Sequence, residues 1–146
     1  MCGIYGYVGQ VKPGKEREVY EFVKALAIRT EVRGKDSTGF LICNGEGIQS
    51  EKWAVRARKF VKSSTLLPTI MTDDCPRVFI GHNRMASHGE VNNTNAHPFT
   101  GKNFCLVHNG VSTEAFRLVK EQGLEKKMKG ETDSEAILRL LDAHGK

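Results

Sequence analysis

The sequence predicts a single α+β domain in which short strands alternate with helices, and three observations carry that prediction. The chain has 146 residues, the length of one domain with its own core. Its hydrophobic pattern switches between glycine-bounded runs of strand type and longer stretches with helical spacing, without internal repeats or a low-complexity linker. Two apolar runs are joined at Asn44-Gly45, a dipeptide that favours tight hairpin turns.

Taken in order, GIYGYVG at 3–9 reads as a strand. EREVYEFVKALAIR at 16–29 reads as a helix with Val19, Phe22, Val23 and Leu26 on one face. RGKDSTG at 33–39 breaks that pattern as a polar, glycine-bounded loop, and FLIC at 40–43, the Asn44-Gly45 turn and GIQSEKWA at 47–54 form a hairpin. RARKFVKSSTLL at 56–67 reads as a short helix, RVFIGHNR at 77–84 as a strong strand and NFCLVHNG at 103–110 as another. These two strands would bring His82, Asn83, Arg84, His108 and Asn109 to their C-terminal ends. Two helices follow, near 112–122 and 133–144, the second beginning Thr132-x-x-Glu135 in the spacing of a capping box.

Composition narrows the functional classes. Lys plus Arg (22) exceed Asp plus Glu (17) for a net charge of +5, but the basic residues are scattered without aromatic interleaving. That distribution reads as a solvated surface and not as a nucleic-acid site. Cys2, Cys43, Cys75 and Cys105 show neither CxxC pairing nor the Cys/His spacing of a zinc site, so no disulfide framework, metal or cofactor is expected. No basic segment leads into a long apolar run before the first helix, and nowhere do 18 apolar residues follow one another. The expectation is a cytoplasmic protein with reduced thiols and no membrane contact.

Chemistry concentrates in three places. If Met1 is removed, Cys2 carries a thiol and a free α-amino group on one carbon. An α-amine titrates at roughly 7.7–8 and a thiol near 8.5, so the nucleophile would bring its own base. With Met1 retained, Cys2 is an ordinary thiol at the start of a strand. The stretch 85–103, longer than most connections, carries Ser87, His88, Asn95 and His97 and reads either as a binding loop or as a solvated one around a rigid Pro98. His108-Asn109-Gly110 offers the Asn109 side-chain amide and the Gly110 N–H to a developing oxyanion, and it also reads as a turn.

Together, MCGI at 1–4, RTEVRGKDSTG at 29–39, GHNRMASHGEVNNTNAHPF at 81–99, LVHNGV at 106–111 and ETDSEAI at 131–137 form an ordered set. It resembles the glutaminase domain of the class II, N-terminal-nucleophile (Ntn) glutamine amidotransferases, and within them the glucosamine-6-phosphate synthases. The resemblance runs from residue 2 to about residue 140. It implies an Ntn-hydrolase-type sandwich of two antiparallel β-sheets flanked by helices, and a single glutaminase domain over 1–146 without a synthase domain.

The same resemblance implies residue roles. Cys2 would attack the side-chain amide of L-glutamine, with Asn109 and Gly110 as the oxyanion donors. Arg84 would hold the substrate α-carboxylate, Asp133 the α-amino group, and Ser87 and His88 the covering loop. Helix N-capping is the alternative role of Asp133 and is compatible with the first. Arg33, Gly34 and His97 take supporting places, His97 not as the general base. Met85 stands where the synthases have tryptophan, Val111-Ser112-Thr113-Glu114 follows the HNG segment where an asparagine is usual, and the chain stops short of the family's further strands, so the sandwich is expected to be truncated. Ammonia would pass to a separate synthase subunit, or the domain would complete itself as a homo-oligomer. The competing expectations are a non-catalytic glutamine-binding or regulatory module and a structural protein descended from the enzyme.

Overall fold

The computed structural model describes residues 1–45, 47–72 and 75–145. Strands β1 (Gly3–Val8), β2 (Ser37–Asn44), β3 (Gly47–Trp53) and β4 (Val78–Arg84) form an antiparallel sheet in the order β1-β4-β2-β3. A second antiparallel sheet pairs β5 (Phe99–Thr100) with β6 (Cys105–Leu106). Helices α1 (Glu16–Thr30), α2 (Ala57–Ser63), α3 (Thr113–Glu121) and α4 (Asp133–His144) complete the molecule. The expected α+β architecture of two antiparallel sheets with flanking helices is the one observed, with the second sheet short.

The main core lies between the four-stranded sheet and α1 and α2. Phe40 of β2 and Phe79 of β4 stack at 5.0 Å between ring centroids, while Phe60 of α2 meets Phe40 edge-on at 5.8 Å and Trp53 at 5.3 Å. Such ring pairs add to the burial of large apolar surfaces. A smaller cluster of Ala115, Val119, Leu124 and Ala136 joins α3 to α4.

The structure moves several expected boundaries. The 33–39 segment is not a loop throughout: a 3-10 turn spans Glu31–Arg33, and Ser37 already begins β2. Ser37, Thr38 and Gly39 pair with Arg84, Asn83 and His82, so hydrogen bonding to a distant strand draws polar residues into a central position that local hydrophobicity does not mark. In α1, Val23 and Ala27 are the buried positions and Phe22 is 53% exposed. Phe22 sits next to the buried stripe and off its centre.

The helix expected over 56–67 stops at Ser63 and is followed by a 3-10 turn over Leu67–Met71. The break has a chemical cause. The Glu51 carboxylate on β3 accepts the Thr65 and Leu66 N–H groups at 3.3 and 3.2 Å, and Ser64 Oγ accepts Leu67 N–H at 2.9 Å. These local bonds compete with helix continuation. The strand expected over 103–110 shrinks to Cys105–Leu106, which leaves His108, Asn109 and Gly110 on a connecting segment. The capping box forms by half: Thr132 Oγ1 accepts the Glu135 N–H at 3.2 Å, but the Glu135 carboxylate takes Lys129 N–H, Gly130 N–H and Arg139 instead.

Candidate active site

Sheet order builds the site. Because β1 and β2 both pair with β4, Gly3 lies opposite Asn83 and Ser37 opposite Arg84, so Cys2 and the residues before β2 converge on the end of β4. Gly34 makes this approach possible, since a Cβ there would fall 2.3 Å from the Asn83 carbonyl oxygen. Arg33 Nε donates to the Cys2 carbonyl at 3.1 Å. Asp36 clasps the strand end from the other side: its N–H donates to the Arg84 carbonyl at 3.0 Å and its carboxylate accepts Ala86 N–H at 2.7 Å.

Cys2 Sγ then faces the backbone of Met85, 3.4 Å from its nitrogen and 3.5 Å from its carbonyl oxygen. An open pocket of about 490 Å³ collects Met1, Cys2, Met85, Ser87, Asn109 and Gly110 among its lining residues. The Met1 amine reaches Met85 Sδ at 3.1 Å, so Met1 forms part of that wall. The nucleophile candidate and both oxyanion-donor candidates therefore share one cavity, although 107 positions of chain separate Cys2 from Asn109.

The Asn109 segment is anchored by polar contacts. The His108 carbonyl meets His82 Nε2 at 3.1 Å, and His108 Nδ1 meets Ser134 Oγ at 3.2 Å. Asp133, buried at the start of α4, accepts Ser112 N–H at 2.7 Å and Ser134 N–H at 2.8 Å. Its carboxylate thus ties Ser112, two residues after Gly110, to a helix N-terminus, where negative charge is favoured.

Arg84 is buried, and its guanidinium donates to the carbonyls of His88 and Glu90 in the 85–103 loop. Burial lowers its pKa, while Cys2, Asp36 and Asp133 lie near enough to favour its charge. Ser87 and His88 are exposed, with Ser87 Oγ and His88 Nδ1 3.4 Å apart. Ser87 lines the pocket, while His88, Arg84, Asp133 and His97 are not among its lining residues. His97 stacks on His82 at 4.0 Å and meets Phe99 edge-on, and burial first, then the neighbouring His82 and Arg84 charges, push it down to about 2. Burial likewise holds His82 at about 4. Both imidazoles are neutral near pH 7.

Sequence reasoning gave Asp36 no role, placed His82 only at a strand end, and read Glu135 only as a capping-box residue. Asp36 stands inside the RGKDSTG string, and that position was the available signal. Among the described residues no cluster of three His, Cys, Asp or Glu could hold a metal ion, and no helix is long and apolar enough to cross a membrane.

No family model matches the chain. It is 37% identical over 147 aligned residues to the glutamine–fructose-6-phosphate aminotransferase (isomerizing) of Thermococcus kodakarensis, and 33% identical over 144 residues to the enzymes of that name from Bacillus licheniformis and Bacillus subtilis. Each alignment covers 97% of this chain and 22% of the relative. The chain therefore spans about a fifth of the length of the curated relatives it matches. Nearly all of it corresponds to one domain-sized portion of these aminotransferases, and it resembles the glutaminase domain of the class II glutamine amidotransferases.

Proposed function

We propose that this chain is the glutaminase of a class II glutamine amidotransferase, a single domain that hydrolyses L-glutamine to glutamate and ammonia through a thioester on Cys2. The observation that carries the reading is the shared pocket of Cys2, Asn109 and Gly110, together with relatives whose names join glutamine to amino transfer.

Removal of Met1 frees the Cys2 amine. That amine takes the thiol proton, directly or through water, and Sγ forms a bond to the amide carbon of glutamine. The carbonyl oxygen becomes an oxyanion that the Asn109 amide and the Gly110 N–H stabilise. Collapse breaks the C–N bond, the ammonium form of the Cys2 amine returns its proton to the leaving nitrogen, and ammonia departs. Water then attacks the thioester, releasing glutamate and restoring the thiol.

Selection of free glutamine rests on two charges. Arg84 has five N–H donors, of which the loop carbonyls of His88 and Glu90 take two, so a substrate α-carboxylate can still meet its planar edge. Asp133 receives the α-amino group. Ser87 and His88 close over the bound amino acid, Arg33 holds the Cys2 carbonyl, Gly34 permits the close approach to β4, and His97 packs on His82. Ammonia passes to a separate acceptor subunit, or a second copy of the chain completes the assembly.

Intact mass before and after a glutamine-mimicking electrophile, with the modified residue mapped, tests this reading. Loss of Met1 and one adduct on Cys2, blocked by excess glutamine, supports it. Retained Met1 with unmodified Cys2 overturns it. Cys2→Ala abolishes turnover while sparing glutamine binding, and residual turnover near the parent rate would also exclude the thioester route.

A further inference from the structure

On the opposite flank of the 85–103 loop lies a second polar pocket, of about 270 Å³, between β3, β5 and the first turns of α4. None of the residues assigned to glutamine chemistry lines it. Its charged lining consists of Lys52, Lys129 and Arg139 against the single carboxylate of Glu135. That carboxylate is already met: Lys129 N–H and Gly130 N–H donate to it at 2.9 and 2.6 Å, and Arg139 Nη2 at 2.6 Å.

The cations are not matched in the same way. Lys52 Nζ donates to the Thr94 and Ala96 carbonyls at 3.1 and 2.7 Å and lies 4.3 Å from the Phe99 ring centroid. These partners are dipoles and a ring face, and none carries a full negative charge. The Arg139 Nε is buried without a hydrogen-bond partner in the protein. Ser50 and Thr100 place hydroxyls 3.3 Å apart on the same wall.

We propose that this pocket binds a small dianion of the phosphate-monoester class, with Lys52 and Lys129 as its counter-charges and the Ser50 and Thr100 hydroxyls as further donors. Arg139 is paired with Glu135 and lies 4.0 Å from Asp142, so the charge left to the pocket is that of Lys52 and Lys129, which a dianion matches. Donors arriving from two strands and a helix flank suit a tetrahedral anion. A planar carboxylate is better served by the free fork of an arginine, and the fork of Arg139 is engaged by Glu135. Burial lowers the Lys52 pKa to about 8, the Arg139 charge adds to that, and the Glu135 carboxylate opposes it only in part.

Isothermal titration of inorganic phosphate into the full chain at pH 7, at ionic strength held constant with chloride, tests the site. Saturable one-to-one binding is expected, weakened about tenfold or more by Lys52→Gln and by Lys129→Gln, as for loss of a charge-assisted bond. Cys2→Ala should bind phosphate unchanged. Heat no larger than that of matched chloride, affinity unaffected by both lysine substitutions, loss of binding in Cys2→Ala, or succinate binding as tightly as phosphate would each overturn the assignment. Lys129 is exposed, so if Lys52→Gln fails to fold, Lys129→Glu decides: abolished binding supports the site and retained binding refutes it.

Discussion

Against the four-stranded sheet the buried side chains are aromatic and aliphatic, with Phe40, Phe60 and Phe79 in one contact network. At the start of α4 four consecutive buried residues, Thr132, Asp133, Ser134 and Glu135, are polar. The first region depends on a force that is proportional to area and indifferent to direction. The second depends on bonds with defined partners: Asp133 to Ser112, Glu135 to residues 129 and 130, Ser134 to His108. The aromatic region holds the chain folded. The polar region decides where the Asn109 segment sits, because Ser134 meets His108 and Asp133 fixes Ser112 on either side of it.

The largest effect on stability should come from emptying the aromatic region. Phe40→Ala removes a fully buried ring that touches both Phe60 and Phe79, and a loss of about 3–5 kcal/mol is expected in urea unfolding. A loss below about 1 kcal/mol would mean that the polar region carries the fold by itself. Asn109→Ala sharpens the contrast from the other side. Asn109 is exposed, so the unfolding midpoint should hardly move, while glutaminase turnover drops on the order of 10²–10³-fold if the side chain is an oxyanion donor. An unchanged rate would remove it from the chemistry.

Acid should separate the regions next. The stacked His82 and His97 are held at about 4 and about 2, whereas an unfolded histidine titrates near 6.5. Below that value the unfolded chain binds protons that the folded chain refuses. Stability is therefore complete above pH 6.5 and declines as pH falls toward 4, by about 2–3 kcal/mol at pH 5.5 for the two groups together. His97→Phe should recover about half of that decline. A flat urea midpoint between pH 7.5 and 5.5 would show that the imidazoles are not held neutral.

The same contrast explains what could be read from the sequence. The aromatic region was legible because its signal is local: β1, β4 and the β2-β3 hairpin follow apolar runs, although Asn44, expected in the turn, is the last residue of β2 and pairs with Gly47, and α4 has the expected bounds. Polar segments were harder. Ser37 and Thr38 enter β2 because Arg84 and Asn83 lie opposite them, and no window around residue 37 contains that information. Glu51 ends α2 from another strand by capturing the Thr65 and Leu66 N–H groups. The candidate site was legible as a set of strings, but the meeting of Cys2 with Asn109 is a property of sheet order, and the partners of Arg84 and Glu135 are properties of loop geometry.

The smallest expected effect tests whether the polar region behaves as separate bonds or as one unit. Thr132 caps α4 by accepting the Glu135 N–H, and the Glu135 side chain does not return the bond. A one-sided cap of this kind is worth about 1 kcal/mol, so Thr132→Ala should lower urea stability by that amount and leave the rate unchanged if the bonds act independently. Thr132 is also the residue before Asp133, whose carboxylate fixes Ser112 two positions after Gly110. If loss of the cap loosens the first turn of α4, Asp133 loosens with it, and turnover falls although Thr132 touches no substrate. A measurable rate loss at unchanged glutamine affinity would therefore tie the helix start to the oxyanion donors. A pure stability loss would make the cap a local feature of α4, with Asp133 held in place by its own bonds to Ser112 and Ser134.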